Sequence, residues 1–227
     1  ATGFGTTASG GRSTAFGDNT IASGIISTAL GTGSVASGDI SIATGSGTKA
    51  QGLISTAVGN FTEAQGTVST AMGYGSIAQG SYSLAAGFRS VAVADFSFAM
   101  GEYNKAKSLN STVIGKYNDT SAINRLFEIG NGTADNARNN ALTVLTNGNM
   151  GIGTTNPNAL LQLSNTIANR KLVLYQTVNN DHQYYGFGIN GGTLRYQVDA
   201  VSADHIFYAG VNTSSSVELM RIKGNGN

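Results

Sequence analysis

The chain has 227 residues, 13 of them basic and 12 acidic, with a formal net charge of +1 and neither cysteine nor tryptophan. Near-neutrality denies it the basic footprint of a nucleic-acid binder. The lack of cysteine removes disulfides and thiolate metal sites, and no apolar run reaches the ~20 residues that a bilayer-spanning helix needs. Glycine, at 32 residues, is about twice its usual share, while charged residues fall to 11% against a usual ~25%. That is the composition of stacked β-structure rather than of an ordinary enzyme.

From residue 1 to about Asn118 the chain repeats Ser-x-Ala-x-Gly-x-x-Ser/Thr-x-Ala-x-Gly-x-x every fourteen residues. Self-similarity at a short fixed period marks a solenoid, in which one repeat is one coil. With Ser13 as position one, glycine holds position five from Gly3 through Gly17 and Gly59 to Gly115, and position twelve from Gly10 to Gly80. A glycine kept at position five in every repeat needs a left-handed backbone or has no room for a Cβ, as at a tight turn, and with the second glycine at position twelve two turns leave two short strands per repeat. Alternation along a strand then assigns the faces. Position three (Ala15 to Ala99) and position ten (Ala22 to Ala106) form two alanine columns, which predict a coil interior with almost no side-chain volume.

The opposite face of the first strand is larger and apolar. Position fourteen supplies Ile26, Ile40, Ile54, Val68, Tyr82 and Phe96, and position four supplies Phe16, Leu30, Val58, Met72, Met100 and Ile114. These side chains cannot fit inside so narrow a coil, so a lone chain exposes a long apolar stripe, and a second chain is expected to cover it. Position nine, with Lys49, Glu63 and Lys105, and the mixed positions six, seven and eleven read as solvent-facing. Eight coils at ~4.8 Å each predict a rod of about 40 Å.

The run Ser55-Thr-Ala-Val-Gly-Asn-Phe-Thr-Glu-Ala-Gln-Gly66 resembles the head repeat of YadA-like trimeric autotransporter adhesins. The resemblance implies a left-handed parallel β-roll, three copies packed side by side through their apolar faces, and a place on the outside of a cell. The repeat weakens from Val93-Ala-Asp95 onward, where position twelve loses its glycine and Lys105, Lys107 and Lys116 appear, so the roll is expected to end by residue 120.

A connector is expected over residues 121–156. In it Leu126-Phe-Glu-Ile-Gly is followed by a polar loop and by Ala141-Leu-Thr-Val-Leu-Thr-Asn-Gly-Asn-Met-Gly-Ile-Gly153. Asn147-Gly148 between alternating apolar runs predicts a hairpin closed by a type I′ turn. The sole proline, Pro157, stands at the expected boundary of a small antiparallel β-domain over residues 157–227. Its candidate strands are 160–163, 171–178, 183–189, 193–199, 204–209 and 217–223. Asn149-Met-Gly-Ile-Gly-Thr-Thr-Asn-Pro157 is similar to a segment of phage tail-fibre and bacterial surface proteins. Glu218 to Asn227 echoes residues 141–149, which suggests a second level of repetition along a fibre.

Candidate chemistry is sparse. Gly31-Thr-Gly-Ser-Val-Ala36 and its equivalents match a relaxed dinucleotide fingerprint, but they merely restate repeat positions five to ten and lack the helix and acidic partner that a phosphate site needs. Asp18, Asp39, Asp95 and Asp119 share no calcium-roll spacing, and His182 and His205 stand in no ligand-spaced cluster. No catalytic, cofactor or metal residue is therefore assigned. Tyr184, Tyr185, Tyr196, His205 and Tyr208 are the candidate ligand contacts, because aromatic faces stack on sugars. The expectation is an all-β homotrimeric fibre segment, a left-handed parallel β-roll followed by a hairpin connector and an antiparallel module. It would present binding surfaces to a host-cell or other receptor, with a glycan among the candidates. The competing reading is a carbohydrate-acting module in the second half, which needs a carboxylate pair drawn from Asp181, Asp199, Asp204 and Glu218.

Overall fold

The computed structural model describes residues 1–226; Asn227, the last residue of the echo noted above, lies outside them. The described residues form strands and turns with no helix, in two compact units, Ala1–Ser164 and Asn165–Asn227.

The first unit is a parallel β-solenoid. Each coil has one long strand, such as Thr14–Asp18, Thr28–Thr32 or Thr56–Asn60, and one two-residue strand, such as Ile21–Ala22 or Val35–Ala36. Equivalent residues of successive coils pair in parallel, fourteen apart: Ala15 with Ala29, Ala29 with Ala43, Ala22 with Ala36. The long strands stack into one sheet and the short ones into an eight-stranded sheet opposite it.

Both alanine columns lie between the two sheets, fully buried. The interior is not alanine alone. Positions one and eight also point inward, so that Ser27, Ser41, Ser55 and Ser69 form one buried hydroxyl column and Thr20, Ser34, Thr48 and Thr62 another. A hydroxyl suits this space because it is nearly as small as a methyl, and in some coils it donates to a backbone carbonyl, although those of Ser27, Ser41, Ser55, Ser69, Thr20 and Thr62 have no hydrogen-bond partner among the described residues. Ser34, Ser76 and Ser90 donate to the carbonyls of Gly45, Gly87 and Gly101 at 3.0–3.1 Å, and Ser83 to that of Gly80 at 2.6 Å.

The turn expected at position twelve is there, with Ser27 N–H donating to the Gly24 carbonyl and Ser69 N–H to that of Gly66, whereas the turn expected at position five lies further along. Gly17 and Gly59 are the fourth residues of their long strands, and the corners fall at position seven and at positions thirteen and fourteen. Those corners take a left-handed backbone at Asn19, Phe61, Arg89, Tyr103 and Tyr117, and again at Ile26, Ile40, Ile54, Val68, Tyr82 and Phe96. The left-handed residue turns the chain while its N–H still reaches the coil before: Phe61 N–H donates to the Ser46 carbonyl and Ile54 N–H to the Asp39 carbonyl, both at 2.8 Å. Glycine at positions five and twelve answers a different demand. A Cβ on Gly59 or Gly52 would land on the carbonyl oxygen of the equivalent glycine one coil on, Gly73 or Gly66.

The roll runs through the long strand Thr112–Lys116, past the point where position twelve loses its glycine. Arg125–Asn131 adds one more parallel strand, then Asn140–Leu145 and Met150–Ile152 pair antiparallel, and Leu161–Leu163 pairs parallel to Met150–Ile152 to finish the long sheet. The hairpin forms as expected but with a different turn. Gly148 N–H donates to Leu145 O, Leu145 N–H to Asn149 O, and only Gly148 is left-handed. This is a three-residue loop ending in a left-handed glycine rather than a type I′ turn, which would require Asn147 to be left-handed too.

The second unit holds an antiparallel three-stranded sheet, Ala168–Tyr175, Tyr185–Asn190 and Thr193–Gln197, and a hairpin, His205–Gly210 with Ser216–Ile222. The last four strands follow the sequence expectation within two residues, because alternating apolar runs and the Asn190-Gly191-Gly192 turn mark their ends, whereas the strand expected at 171–178 begins at Ala168 and the one expected at 160–163 belongs to the long sheet of the first unit, parallel to Met150–Ile152.

Candidate functional site

The outer face of the long-strand sheet is the most extensive apolar surface of the roll. Strand alternation points positions two, four and six outward, and the corner at position fourteen adds its side chain to one margin. Phe16 is 58% exposed and Ile54 46%, with Ile26, Ile40, Val58, Val68, Met72, Tyr82, Phe96 and Met100 also exposed; Leu30 and Ile114 are half-buried. All twelve expected interface residues therefore reach the surface of the single chain. Position fourteen does so from a turn rather than from the strand, so alternation alone misplaces it. The opposite sheet carries a Lys49–Glu63 ion pair at 2.8 Å, while Asp18, Glu102 and Lys116 stand at the last residues of long strands. That pair and the Gln65 amide together hold the Glu63 carboxyl below the usual range.

Positions six and seven are not the polar margin that the early coils suggest. In the later coils they carry Phe61, Tyr74, Phe88, Tyr103 and Tyr117, each ring against the next at centroid separations of 6.2, 5.2, 5.3 and 4.8 Å. The Arg89 guanidinium lies 5.7 Å from the Phe88 ring and 5.8 Å from that of Tyr103, and Arg138 lies 5.5 Å from Tyr117. The signal for this ladder was present in the later repeats, where aromatic residues recur near one corner.

The end of the roll is closed by a buried ionic cluster that no sequence pattern announces. Arg125, 1% exposed, donates to the Asp119 carboxylate and main-chain carbonyl, the Glu128 carboxylate and the Thr155 carbonyl. Glu128 also accepts from Asn118 at 3.2 Å and from Asn140 at 2.7 Å. Burial lifts the Glu128 carboxyl above the usual glutamate range, against the pull of those amides and of Arg125. Burial opposes ionisation of Asp119 as well, but hydrogen bonds from Ser121 and Arg125 outweigh it and hold that carboxyl below its usual range. The cluster ties the last coil to the hairpin connector, which makes it a structural cap.

In the second unit Tyr185, Tyr196 and His205 share one shallow depression of about 310 Å³ with Leu174 and Phe207, and Tyr208 does not line it. Tyr184 is a core residue rather than a ligand contact: it is fully buried and its hydroxyl donates to the Asn169 carbonyl. Of the four acidic residues a glycosidase-like pair would draw on, Asp204 and Glu218 both bind Arg221, and Asp181 binds Arg170. Asp199 contacts the Thr177 hydroxyl at 3.5 Å. Among the described residues no group of three His, Cys, Asp or Glu side chains is placed to hold a metal ion, and no helix is long and apolar enough to cross a membrane.

Comparison with curated proteins finds no match. Comparison with protein families matches the YadA head domain repeat, as two-copy units, to residues 1–25, 22–48, 50–76, 64–90 and 78–104. The matched stretches cover the coils of the parallel solenoid up to residue 104, with the alanine columns, the stacked glycines and the outward apolar positions in one register. Over residues 1–48 and 50–104 the coils are similar to the YadA head domain repeat.

Proposed function

We propose that the chain is one strand of a homotrimeric, surface-exposed fibre of the adhesin type, in which the roll forms a rigid shaft and the fibre presents binding surfaces to a receptor. The observation that carries this reading is the separation of two apolar surfaces within the roll. The alanine core is closed inside each chain, yet the row of large side chains from Phe16 to Met100 is left outside, on a face without the ion pair found on the other sheet. A soluble monomer does not keep so long an apolar stripe in water, and YadA-type heads supply the threefold partner that covers it. Threefold display also multiplies weak receptor contacts into avidity.

The test is the mass in solution. Light scattering should give three times the 23.2 kDa of the chain, and Met72→Asp with Met100→Asp should shift the population toward monomer without unfolding the coils. A wild-type monomer across the micromolar range overturns the reading. The receptor is proposed to be carbohydrate or protein on another surface, with the Tyr185, Tyr196 and His205 depression as the contact to probe on glycan arrays. Attachment to a cell rather than to a phage-like tail is the reading the YadA repeats favour.

A further inference from the structure

Both histidines of the chain come to one place, in the cleft between the three-stranded sheet and the hairpin of the second unit. Three adjoining cavities meet at His205. One, of about 410 Å³, is lined by His182, Asp199, His205 and Lys223, and another, of about 460 Å³, by Tyr196, Phe207 and Ile222. Each polar group is held by its own side of the cleft. On the sheet side the Gln197 amide donates to the carbonyls of His182 and Val198 at 3.0 and 2.8 Å, and the His182 N–H donates to the Asn180 side chain at 2.8 Å. On the hairpin side the Asp204 carboxylate accepts from Gly224 N–H at 3.0 Å and binds Arg221, which ties the Lys223 end of one strand to the His205 end of the other.

Asp199 is the carboxylate of the second unit that no cation claims among the described residues, since Asp181, Asp204 and Glu218 are all in ion pairs. One of its oxygens is buried with no hydrogen-bond partner, and the other lies 3.5 Å from the Thr177 hydroxyl, at the outer limit of a bond. Carboxylate oxygens left unpaired away from water are costly, so this group calls for a donor. The rings beside it are more than half exposed, and Phe187 braces Tyr196 edge-on at a centroid separation of 5.2 Å.

We propose that this cleft takes a neutral saccharide with adjacent hydroxyls, its C–H face on Tyr196 and Phe207 and its hydroxyls on Asp199, His182 and His205. The proposal rests on the receptor reading and names the ligand class of that same surface. Charge favours a neutral sugar: Asp199 and Lys223 cancel, and Asp204, Glu218 and Arg221 sum to one negative charge, which repels an acidic one. No group of three metal-ligating side chains stands among the described residues, and a wholly apolar ligand would bury Asp199 and both imidazoles without partners. A sugar supplies what both halves of the cleft ask for, an apolar face for the rings and hydroxyls that donate to a carboxylate or pair with imidazole nitrogens. One unclaimed carboxylate suits binding, because hydrolysis by the two-carboxylate route needs a second.

The test is a printed array of neutral and acidic oligosaccharides, half of it oxidised with periodate, which cleaves the bond between adjacent hydroxyl-bearing carbons. The whole chain should bind neutral glycans on the untreated half and lose them on the oxidised half. Asp199→Asn should lower the apparent affinity at least about tenfold, the scale of a hydrogen bond to a charged acceptor, and His182→Ala and Tyr196→Ala should weaken binding to the same glycans. Asp199→Glu, which displaces the carboxylate by one methylene, repeats the test if Asp199→Asn does not fold, as judged by its denaturation midpoint. Binding that survives periodate, or that the Asp199 and His182 variants leave unchanged while Tyr196→Ala abolishes it, overturns the hydroxyl subsite and leaves the aromatic contact standing. Preference for acidic glycans overturns the ligand class, and release of reducing ends overturns the binding role. A wild-type chain that binds no glycan overturns the subsite together with the glycan reading of the depression.

Discussion

Replacing Gly59 by alanine should break the roll locally, and replacing Gly33 by alanine should not. Gly59 has φ 124°, and an added Cβ would land on the carbonyl oxygen of Gly73 in the next coil. Backbone atoms form both sides of that contact, so the only relief is to part the two coils. Parting the strands Thr56–Asn60 and Thr70–Tyr74 sacrifices about two ladder hydrogen bonds at ~1 kcal/mol each. The unfavourable backbone region adds roughly 1–3 kcal/mol, for a total of about 3–5 kcal/mol. Gly33 is also left-handed, at φ 61°, but the nearest atom to its added Cβ is 4.0 Å away and the equivalent corner elsewhere holds Asn19, Phe61 or Arg89. Its cost is the backbone preference alone, about 1–2 kcal/mol. Equilibrium denaturation of the two variants gives the difference, and hydrogen exchange should place the Gly59→Ala defect in the coils on either side of it, because a solenoid transmits stability only through neighbours. Equal destabilisation by the two substitutions would refute the view that close coil approach, rather than turn geometry, is what demands glycine at position five.

Two further outcomes follow from the cap and the second unit. The folded cap favours protonated Glu128, so its contribution is complete below pH ~4.3 and is lost as pH rises through the raised value; Asp119 acts in the opposite sense, with stability present above ~3.9 and lost as pH falls through its depressed value. Glu128→Gln should therefore flatten the decline in cap protection on the neutral side of pH 4.3 and leave the acid limb unchanged, as read by hydrogen exchange in the Arg125–Asn131 strand from pH 3 to 8. Tyr184→Phe removes the hydroxyl that satisfies the Asn169 carbonyl and should destabilise the second unit by about 1 kcal/mol without altering the roll, measured as a shift in the denaturation midpoint.

The roll was legible because its constraint is repeated coil after coil. A residue forbidden everywhere but at one position leaves a column that cannot be missed, and the alanines at positions three and ten mark the buried faces directly. What the columns do not reveal is which force keeps them. Glycine at position five reads as a turn because turns are glycine's commonest office, yet here it sits in a strand whose neighbour lies too close for a Cβ. The true corners hold phenylalanine, arginine, isoleucine and tyrosine in left-handed geometry, a choice that local propensity argues against. The inward serines are hard to read for a similar reason: a hydroxyl is ordinarily solvent-facing, but in so narrow an interior those of Ser34 and Ser83 reach backbone carbonyls. The ring ladder was hidden by averaging, since Asp18, Asn19, Thr32 and Gly33 occupy the same positions in the first coils. Arg125, Asp119 and Glu128 carry no periodic signal at all, because a cap occurs once.

Ile54→Asn should have opposite effects on the single chain and on the assembly, and that pair of signs bears on why the corner is strained. Asparagine tolerates φ 58° better than a β-branched side chain, so the backbone of the isolated roll gains up to about 1–2 kcal/mol. The side chain loses about 1 kcal/mol there, since Ile54 is 46% exposed and the rest of it is buried, so the backbone gain matches or exceeds the loss. In the trimer the exposed half of Ile54 is covered, worth about 1 kcal/mol per copy from the 1.5–3 kcal/mol of a fully buried isoleucine, or about 3 kcal/mol over three copies. Denaturation at concentrations below assembly should therefore show a variant at least as stable as wild type, while dilution monitored by light scattering should show its trimer falling apart at a higher concentration. The same comparison at Ile40, with φ 57°, should repeat both signs. A variant that weakens the isolated roll while leaving assembly unchanged would mean that the isoleucine serves its own coil, and the strain at position fourteen would then need an explanation inside the chain rather than between chains.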